Sequence, residues 1–341
     1  METEIMASQS ILVVGGAGYV GGHTCKALAT AGFRPVVFDN FTTGHRDFVR
    51  WGPVVDGDIR DAVAVADAIR SHDIAAVLHF AACAYVGESV TDPQKYYDNN
   101  VAGTLSLLRA MLNAGCSRLV FSSTCAIYGQ PDEVPIGEAT APNPVNPYGA
   151  SKLMVERILS DYARAYDIRA IALRYFNACG ADPDGEIGEL RDPETHLIPR
   201  AMMALQGYID DFQIFGSDYS TADGTAVRDY IHVSDLADAH VAALRRLLDG
   251  QAGGAYNLGT GQGFSVKEVL DAIAAEAGEA LPEARGPRRE GDPAALIADA
   301  RQAQDVLGFS PKYSDLPTIV RTAWAWHRRA HPRRNAEPEQ R

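Results

Sequence analysis

The sequence predicts an α/β protein with a Rossmann-type doubly wound parallel sheet, followed by a smaller α+β C-terminal domain. In the first half, short apolar strands alternate with helical patterns, which is typical of a parallel sheet covered on both faces. The first strand leads directly into a glycine-rich turn at residues 15–21. Near residue 176 the alternation gives way to a segment rich in Gly, Pro, Asp and Glu.

The elements of the first half follow from short, wholly apolar runs and the 3.6-residue patterns between them. Strands are predicted at residues 11–14, 35–39, 54–55 (the weakest), 75–80, 119–121 and 171–173, and helices at 19–31, 61–71, 94–114 and 148–166. The last of these helices follows Pro147, a residue favoured at a helix entry.

The second half is less regular. It is predicted to contain a loop over 178–195, a strand near 227–231, and helices near 197–206, 234–248 and 265–277. We divide the chain into a Rossmann-type domain over 1–176, a second domain over 177–330 and a disordered tail over 331–341, which is charged and almost without apolar residues. Some later segments are expected to return to the first sheet.

Composition limits the function classes. The 341 residues carry a formal net charge of −13, which argues against nucleic acid or an anionic membrane as the main partner. No apolar run approaches the ~20 residues that span a bilayer. The five cysteines are widely spaced without a C-x-x-C pair, so neither a metal site nor a disulfide framework is expected, and a cytoplasmic location fits best.

The glycine-rich turn predicts a dinucleotide site. Gly16, Gly18 and Gly21 fit G-x-G-x-x-G between a strand and a helix, where glycines let the backbone approach a pyrophosphate at the helix N-terminus. Asp39 ends the second strand and suits an acid that binds the adenosine ribose 2′-hydroxyl. Because an acid there repels a 2′-phosphate, NAD is favoured over NADP.

A proton-transfer site is predicted at Tyr148 and Lys152. Four residues apart on a helix, the two lie on one face, and a nearby ammonium favours the ionised form of a phenol. Thr124 follows the fifth strand directly, at the end of the sheet where ligands bind in such folds. The pair alone is weak evidence, but the three residues behind a dinucleotide loop have few purely structural explanations.

These motifs resemble the extended short-chain dehydrogenase/reductase family and, within it, the UDP-glucose 4-epimerases. The similar segments include VVGGAGYVGGHT (13–24), FSST (121–124), NPYGASK (146–152), LRYFNACGAD (173–182), ETHLIPRA (194–201) and DGTAVRDYIHVSDLADAH (223–240). The bacterial branch that makes UDP-galactose for exopolysaccharides is especially similar. Two segments also resemble plant UDP-arabinose 4-epimerases.

The resemblance implies the following roles. Tyr148 would be the base, Lys152 would hold the nicotinamide ribose and lower the Tyr148 pKa, and Thr124 would lie beside the substrate 4-hydroxyl. The residues expected to contact NAD are Gly15, Gly18, Tyr19, Val20, Gly21, Asp39, Asn40, Asp58, Ile59, Phe80, Ala81, Ala82, Asn99, Ser122, Tyr148, Lys152 and Tyr175. Those expected to contact the UDP-sugar are Thr124, Tyr148, Asn177, His196, Leu197, Phe215, Arg228, Arg289, Asp292 and Leu296.

Arg228 has two readings from its chemistry. Its guanidinium fork suits a diphosphate, but an ion pair with the neighbouring Asp229 would equally explain it. Arg289 is a second candidate for the diphosphate.

The reaction class follows from the residues after Thr124. Water elimination from a sugar needs a further acid and base, which related dehydratases carry just after this position. Here the positions hold Cys125 and Ala126, so interconversion of UDP-galactose and UDP-glucose through a 4-keto intermediate is favoured.

Substrate breadth and assembly stay open. Leu296 stands where the resemblance places a residue that limits the sugar pocket, often Tyr, so some turnover of N-acetylated hexoses is expected. Alternatives are a UDP-arabinose/UDP-xylose or UDP-glucuronate 4-epimerase and a non-catalytic NAD-binding relative. The resemblance also implies a homodimer built on the helices at 94–114 and 148–166.

Overall fold

The computed structural model describes residues 8–281, 284–289 and 292–331. The strands are β1 (Ser10–Val14), β2 (Arg34–Asp39), β3 (Val54–Asp56), β4 (Ile74–His79), β5 (Arg118–Ser122), β6 (Arg169–Tyr175), β7 (Asn177–Cys179), β8 (Ile214–Phe215), β9 (Val227–His232), β10 (Gly254–Leu258), β11 (Gly263–Ser265), β12 (Arg285–Gly286) and β13 (Ala295–Leu296). The α-helices are α1 (Tyr19–Thr30), α2 (Ala62–Ser71), α3 (Val86–Thr91), α4 (Pro93–Tyr96), α5 (Gly103–Ala114), α6 (Pro147–Tyr166), α7 (Leu197–Leu205), α8 (Val233–Leu248), α9 (Val266–Ala277), α10 (Arg301–Leu307) and α11 (Leu316–Ala330).

Within the described residues, seven strands form a parallel sheet in the order β10-β6-β5-β4-β1-β2-β3. The order reverses between β1 and β4, so the loops after these strands diverge and leave a crevice at the carboxyl edge of the sheet. The sheet separates two apolar clusters: one contains Ile11, Val13 and Leu28, and the other Leu12, Val14 and Leu107. This architecture confirms the predicted Rossmann-type fold class.

The chain returns to this sheet well after residue 176. β10 pairs in parallel with β6, with Gly254 opposite Ile171 and Leu258 opposite Tyr175. Side chains of α8, among them Leu236 and Leu244, join the apolar cluster that contains the β1 residues Ile11 and Val13.

A second sheet and its helices lie beyond the carboxyl edge. β9 pairs with β7, β11 and β13, while α7, α9 and α11 share an apolar cluster that includes Met202, Ile273 and Ile319. β7 occupies the first part of the segment predicted as a loop over 178–195, because residues 177–179 pair with Tyr230, Ile231 and His232 of β9. The sequence analysis also missed α3, α10 and α11.

The segment predicted as one helix at 94–114 is helical throughout, but it is not a single α-helix. Residues Tyr97–Ala102 form a π-helical turn between α4 and α5, a feature frequent at functional sites. Asn100, inside this turn, binds both backbone polar groups of Cys83 and the hydroxyl of Ser151. The turn thereby ties the loop after β4 to α6.

Two further expectations concern the ends of the chain and membrane-spanning segments. The tail predicted at 331–341 lies outside the described residues apart from His331, as do residues 1–7. Among the helices that are described, none has the length and apolar character needed to cross a membrane.

Candidate active site

The glycine turn is shaped for close approach by a ligand. Gly15 has a φ of 82°, and a Cβ there would lie 2.5 Å from the backbone nitrogen of Ala81. A Cβ on Gly21 would collide with the carbonyl oxygen of Gly15. At Gly18, the N-cap of α1, a Cβ would meet only the Gly15 oxygen, at 3.4 Å. Gly15 and Gly21 therefore close the turn, while Gly18 leaves open the space above the helix N-terminus that a pyrophosphate needs.

Asp39 supports the turn. Its Oδ2 accepts the N–H of Ala17 at 3.0 Å, and its Oδ1 accepts the N–H of Phe41 at 2.8 Å. Burial raises the pKa of this carboxyl, and the backbone hydrogen bonds oppose that rise. Because a carboxylate has about four acceptor positions, two bonds leave Asp39 capacity for a ribose hydroxyl.

Asn40 and Asp58 meet beside β2 and β3. The amide of Asn40 donates to Asp58 Oδ2 at 3.0 Å, and Arg60 binds the same carboxylate through Nε and Nη2. The hydrogen bonds from Arg60 hold the pKa of Asp58 well below its usual range. Ile59, between them, is buried.

The residues after β4 lie close to the glycine turn. The backbone N–H groups of Phe80 and Ala81 both donate to the carbonyl of Val14. Phe80, Ala81 and Ala82 are partly exposed. Asn99 donates its amide to Asn100 Oδ1 at 3.0 Å. These residues thus line the crevice between β1 and β4 where the strand order reverses.

Lys152 is fixed by the end of β5. It is 3% exposed, and its Nζ donates to the carbonyl oxygen of Ser122 at 2.8 Å. The same nitrogen lies 4.9 Å from the ring centroid of Phe121 and 5.9 Å from that of Tyr148. Burial lowers the pKa of Lys152 to about 7.

Tyr148 and Thr124 are brought together as predicted, but the protein groups do not make the phenol a stronger acid. Burial raises the pKa of Tyr148 above its usual value, with Tyr175 and Cys125 adding to the rise, while a hydrogen bond with Thr124 and the charge of Arg191 lower it. Thr124 Oγ1 also accepts the N–H of Ala126 at 3.1 Å, which orients the threonine side chain.

Tyr175 completes this side of the crevice. Its hydroxyl lies 2.6 Å from Ser122 Oγ, so β5 and β6 are joined at their carboxyl ends. Burial raises the pKa of Tyr175, which keeps the hydroxyl protonated and able to donate.

On the substrate side, Arg228 binds Asp292 rather than Asp229. Arg228 Nη2 lies 2.5 Å from Asp292 Oδ1, and its Nη1 donates to the carbonyl of Val227. Asp229 faces the opposite way and accepts backbone N–H groups of Thr260, Gly261 and Ala298. The ion pair with Asp229 considered above is therefore wrong, because adjacent residues of a strand point to opposite faces.

Of the other predicted substrate residues, Leu296 and Asn177 contact β9, and Arg289 contacts Phe215. The Arg289 guanidinium carbon lies 4.4 Å from the ring centroid of Phe215, which is 37% exposed. Leu296 pairs with Arg228 across β13 and β9 and packs against the buried cluster that contains Ile127 and Phe176. Asn177 donates its amide to the Asp229 carbonyl.

His196 and Leu197 begin α7. His196 Nδ1 lies 2.7 Å from Glu189 Oε1, so the imidazole has a protein partner already. Its partner is part of a buried charged group that the sequence analysis missed: Glu189 also accepts Arg191 Nε at 2.8 Å, and the Arg191 guanidinium lies 5.9 Å from the ring of Tyr85. No local pattern marks these residues, since they meet only when the loop before α7 folds.

Comparison with known proteins agrees with this geometry. The model of the NAD dependent epimerase/dehydratase family matches residues 11–259. The chain belongs to this family. It is 54% identical to a UDP-glucose 4-epimerase from Rhizobium leguminosarum bv. trifolii, over 96% of this chain and 99% of that protein.

Solved epimerase structures have the same fold. That of UDP-glucose 4-epimerase from Brucella ovis in complex with NAD superposes with a TM-score of 0.92 at 54% identity, covering 93% of this chain and 98% of that one. The Bifidobacterium longum UDP-glucose 4-epimerase in complex with NAD+ and UDP gives 0.89 at 38% identity, covering 94% and 98%.

Proposed function

We propose that this chain interconverts UDP-galactose and UDP-glucose through a 4-keto intermediate, with tightly bound NAD. The arrangement at the end of β5 carries the proposal: Lys152 is bound to Ser122, Thr124 to Tyr148, and the next two residues are Cys125 and Ala126. One proton relay without a second acid or base suits oxidation and re-reduction at one carbon rather than water elimination.

NAD fits the residues at the glycine turn. The open space above Gly18, the backbone N–H groups at the start of α1 and the carboxylate of Asp39 match the pyrophosphate and ribose of a dinucleotide. When bound, NAD supplies the acceptor and donor of the hydride at C4 and a positive charge near Tyr148.

Tyr148 then acts as the base for the sugar 4-hydroxyl, and Thr124 holds that hydroxyl. Since burial raises the pKa of Tyr148, ionisation of the phenol requires added positive charge. The charge of Arg191 already lowers this pKa, and protonated Lys152 lies 5.9 Å from the ring centroid; we propose that bound NAD would add the further positive charge. We propose the remaining cofactor and substrate roles as assigned above, except that of Asp292, whose carboxylate is bound to Arg228.

The UDP group is held away from the reacting carbon. Arg228 and Arg289 provide two guanidinium groups for the diphosphate, and Phe215 provides a half-exposed ring for the base. Inversion requires the 4-keto sugar to present its other face, and firm binding of UDP allows the hexose to turn without leaving.

Leu296 supports broader sugar specificity. It lies on β13 opposite Arg228, and it is smaller than Tyr. We propose that the pocket also accepts UDP-N-acetylglucosamine and UDP-N-acetylgalactosamine.

We also propose a homodimer that joins α5 and α6 of two copies. Leu105, Leu112, Met154 and Tyr166 on these helices are between 37% and 54% exposed, and burying such side chains is favourable. Size-exclusion chromatography with light scattering tests this; a monomer at micromolar concentration would refute it.

We also propose that residues 1–176 provide the NAD site together with Thr124 and Tyr148 for the substrate, and that residues 177–330 provide the rest of the sugar-nucleotide site.

The deciding experiment measures conversion of UDP-galactose to UDP-glucose by purified protein without added NAD. Conversion is expected, with NAD released on denaturation. A protein that contains NAD but leaves UDP-galactose unchanged would refute the proposed reaction. A panel with UDP-arabinose, UDP-xylose and UDP-glucuronate tests the alternative substrates, of which none is expected to exceed UDP-galactose in kcat/KM.

A further inference from the structure

Helix α6 carries a carboxylate, that of Glu156, in line with Tyr148 and Lys152. Glu156 follows Lys152 by four residues on α6, which places it on the same helix face. Its side chain is 9% exposed. Burying a carboxylate is unfavourable unless the carboxylate is paired and hydrogen-bonded. The contacts of Glu156 therefore show which groups offset the cost of its burial.

Those contacts join the helix to two strand ends. The hydroxyl of Ser123 donates to Glu156 Oε1 at 2.5 Å. Arg174 binds both carboxylate oxygens, with Nη2 2.6 Å from Oε2 and Nε 3.1 Å from each oxygen. Ser123 follows β5 and Arg174 lies in β6, so one carboxylate links α6 to both strands.

Each strand residue held by Glu156 is next to a residue of the catalytic group. Ser123 lies between Ser122, whose carbonyl accepts Lys152 Nζ, and Thr124, which binds Tyr148. Arg174 precedes Tyr175, whose hydroxyl lies 2.6 Å from Ser122 Oγ. A shift of the Glu156 contacts would therefore move several catalytic contacts together.

The network extends behind the turn that follows Thr124. Arg174 Nη1 donates to the Tyr128 hydroxyl at 2.9 Å, and that hydroxyl donates to Asn257 Oδ1 at 2.7 Å. Asn257 lies in β10 and donates in turn to the Ile136 carbonyl. The polar groups of this network are satisfied and tied to four segments of the fold, as expected of a rigid support.

Glu156 also acts on Lys152 by its charge. Burial lowers the pKa of Lys152, and the groups that raise it are Cys83 and Glu156. The other groups that face Lys152 are the Tyr148 and Phe121 rings and the buried His79. Of these neighbours, Glu156 is the carboxylate, so its removal makes protonated Lys152 less stable.

We propose that Glu156 is a positioning residue for the epimerase reaction, which aligns Lys152, Ser122 and Thr124 through Ser123 and Arg174. This inference rests on the proposed function. It predicts that weakening the Glu156 contacts lowers kcat without weakening UDP-sugar binding, because Arg228, Phe215 and Arg289 lie outside the network.

Two variants test the proposal. Ser123→Ala removes one hydrogen bond and leaves the ion pair with Arg174 intact. Glu156→Gln keeps the shape but removes the charge. Each is expected to lower kcat for UDP-galactose about tenfold or more, as loss of a bond to a charged group allows, with KM and NAD content near wild type.

The pH profile separates positioning from a merely structural role. In Glu156→Gln, Lys152 should lose its proton at lower pH, so the alkaline limb of kcat should move to lower pH; Glu156→Asp should partly restore the wild-type limb. Asp161→Asn, on the exposed face of the same helix, is the matched control and should leave kcat and the limb unchanged.

The outcomes are distinguishable. An inactive wild-type protein would refute the proposed function itself. An active wild type with normal kcat and an unmoved limb in both variants would overturn the inference alone. If Glu156→Gln fails to fold, Ser123→Ala tests the inference by itself. A wild-type kcat in Ser123→Ala would overturn the inference. A loss of kcat that only follows a loss of NAD and a lowered melting temperature would overturn it as well.

Discussion

Arg228 and Asp292 form an ion pair, with 2.5 Å between Nη2 and Oδ1, in the part of the crevice where UDP is proposed to bind. The same guanidinium cannot bind a diphosphate fully while it holds the carboxylate. In the proposed complex Asp292 therefore competes with the substrate for Arg228, so the two residues are expected to have opposite effects on binding.

Arg228→Met is expected to raise KM for UDP-galactose about 10- to 100-fold, because charge-assisted hydrogen bonds contribute about 1.5–3 kcal/mol. The effect on kcat should be smaller. Steady-state kinetics and calorimetric titration with UDP measure both quantities. An unchanged Kd for UDP would show that Arg228 serves only the ion pair.

Asp292→Asn is expected to act in the other direction. Loss of the carboxylate charge frees the Arg228 guanidinium, so the Kd for UDP should fall or stay equal rather than rise. Direct titration with UDP tests this. A marked loss of affinity in Asp292→Asn would mean that the carboxylate itself contacts the ligand or orients Arg228 for it.

Tyr148→Phe is expected to reduce turnover by about 10²–10⁴-fold, the contribution typical of general acid–base catalysis. NAD content should stay near wild type, because the ring and the bond between Lys152 and Ser122 remain. Denaturation followed by chromatography of the released nucleotide gives the content. Near-normal activity in this variant would contradict the role of Tyr148 as base.

Leu296→Tyr is expected to narrow the substrate range. The larger side chain reduces the proposed sugar pocket, so kcat/KM for UDP-N-acetylglucosamine should fall at least about tenfold, while that for UDP-galactose changes little. Parallel assays with the two substrates give the ratio. If wild-type protein shows no turnover of the N-acetylated sugar, Leu296 does not broaden specificity.

Acid should destabilise the fold between pH 6.5 and about 4 through its buried histidines. Burial lowers the pKa of His23, His232, His240 and His327 to about 4 and that of His79 to about 3. In this window the unfolded chain binds more protons than the folded chain. The free energy of unfolding therefore decreases as the pH is lowered, by up to about 1.4 kcal/mol per pH unit for each histidine.

His23→Asn isolates one such contribution. Asn can still donate to the Tyr19 carbonyl, as His23 Nδ1 does at 2.8 Å, but it does not titrate. Denaturant unfolding at pH 7 and pH 5 should show a smaller loss in the variant than in the wild type. Burial raises the pKa of Glu194 to about 7, so its effect on the pH dependence of stability has the opposite sign. This contribution is present in both proteins and drops out when the two losses are compared. An equal loss in both proteins would rule out His23 as an acid-sensitive group.

Sequence patterns were enough to predict those parts of the fold and site whose residues lie close together along the chain. The strand, turn and helix around Gly15 to Gly21 follow one another in sequence, and Tyr148 and Lys152 lie one helical turn apart. Their spacing alone therefore carries the geometry, since helix and turn dimensions are nearly constant.

Contacts between distant segments could not be predicted in this way. Asp292 meets Arg228 across 64 residues, and Glu156 meets Ser123 across 33. Asp229 was one of two partners considered for Arg228 because the two residues are adjacent in the sequence. Their side chains point to opposite faces of β9, and the sequence alone does not show this alternation. The burial that raises the pKa of Tyr148 and lowers that of Lys152 is likewise not visible in a sequence.

The late return of the chain to the main sheet bears on how the protein is made. β6 forms one edge of the sheet until β10 pairs with it, and α8 supplies Leu236 and Leu244 to the core against Ile11 and Val13. A nascent chain that ends before residue 258 would leave that edge unpaired and that apolar face uncovered, both of which favour aggregation. We therefore expect the first half to remain dependent on chaperones during synthesis, and the NAD site to become fully formed only after about three quarters of the chain has left the ribosome.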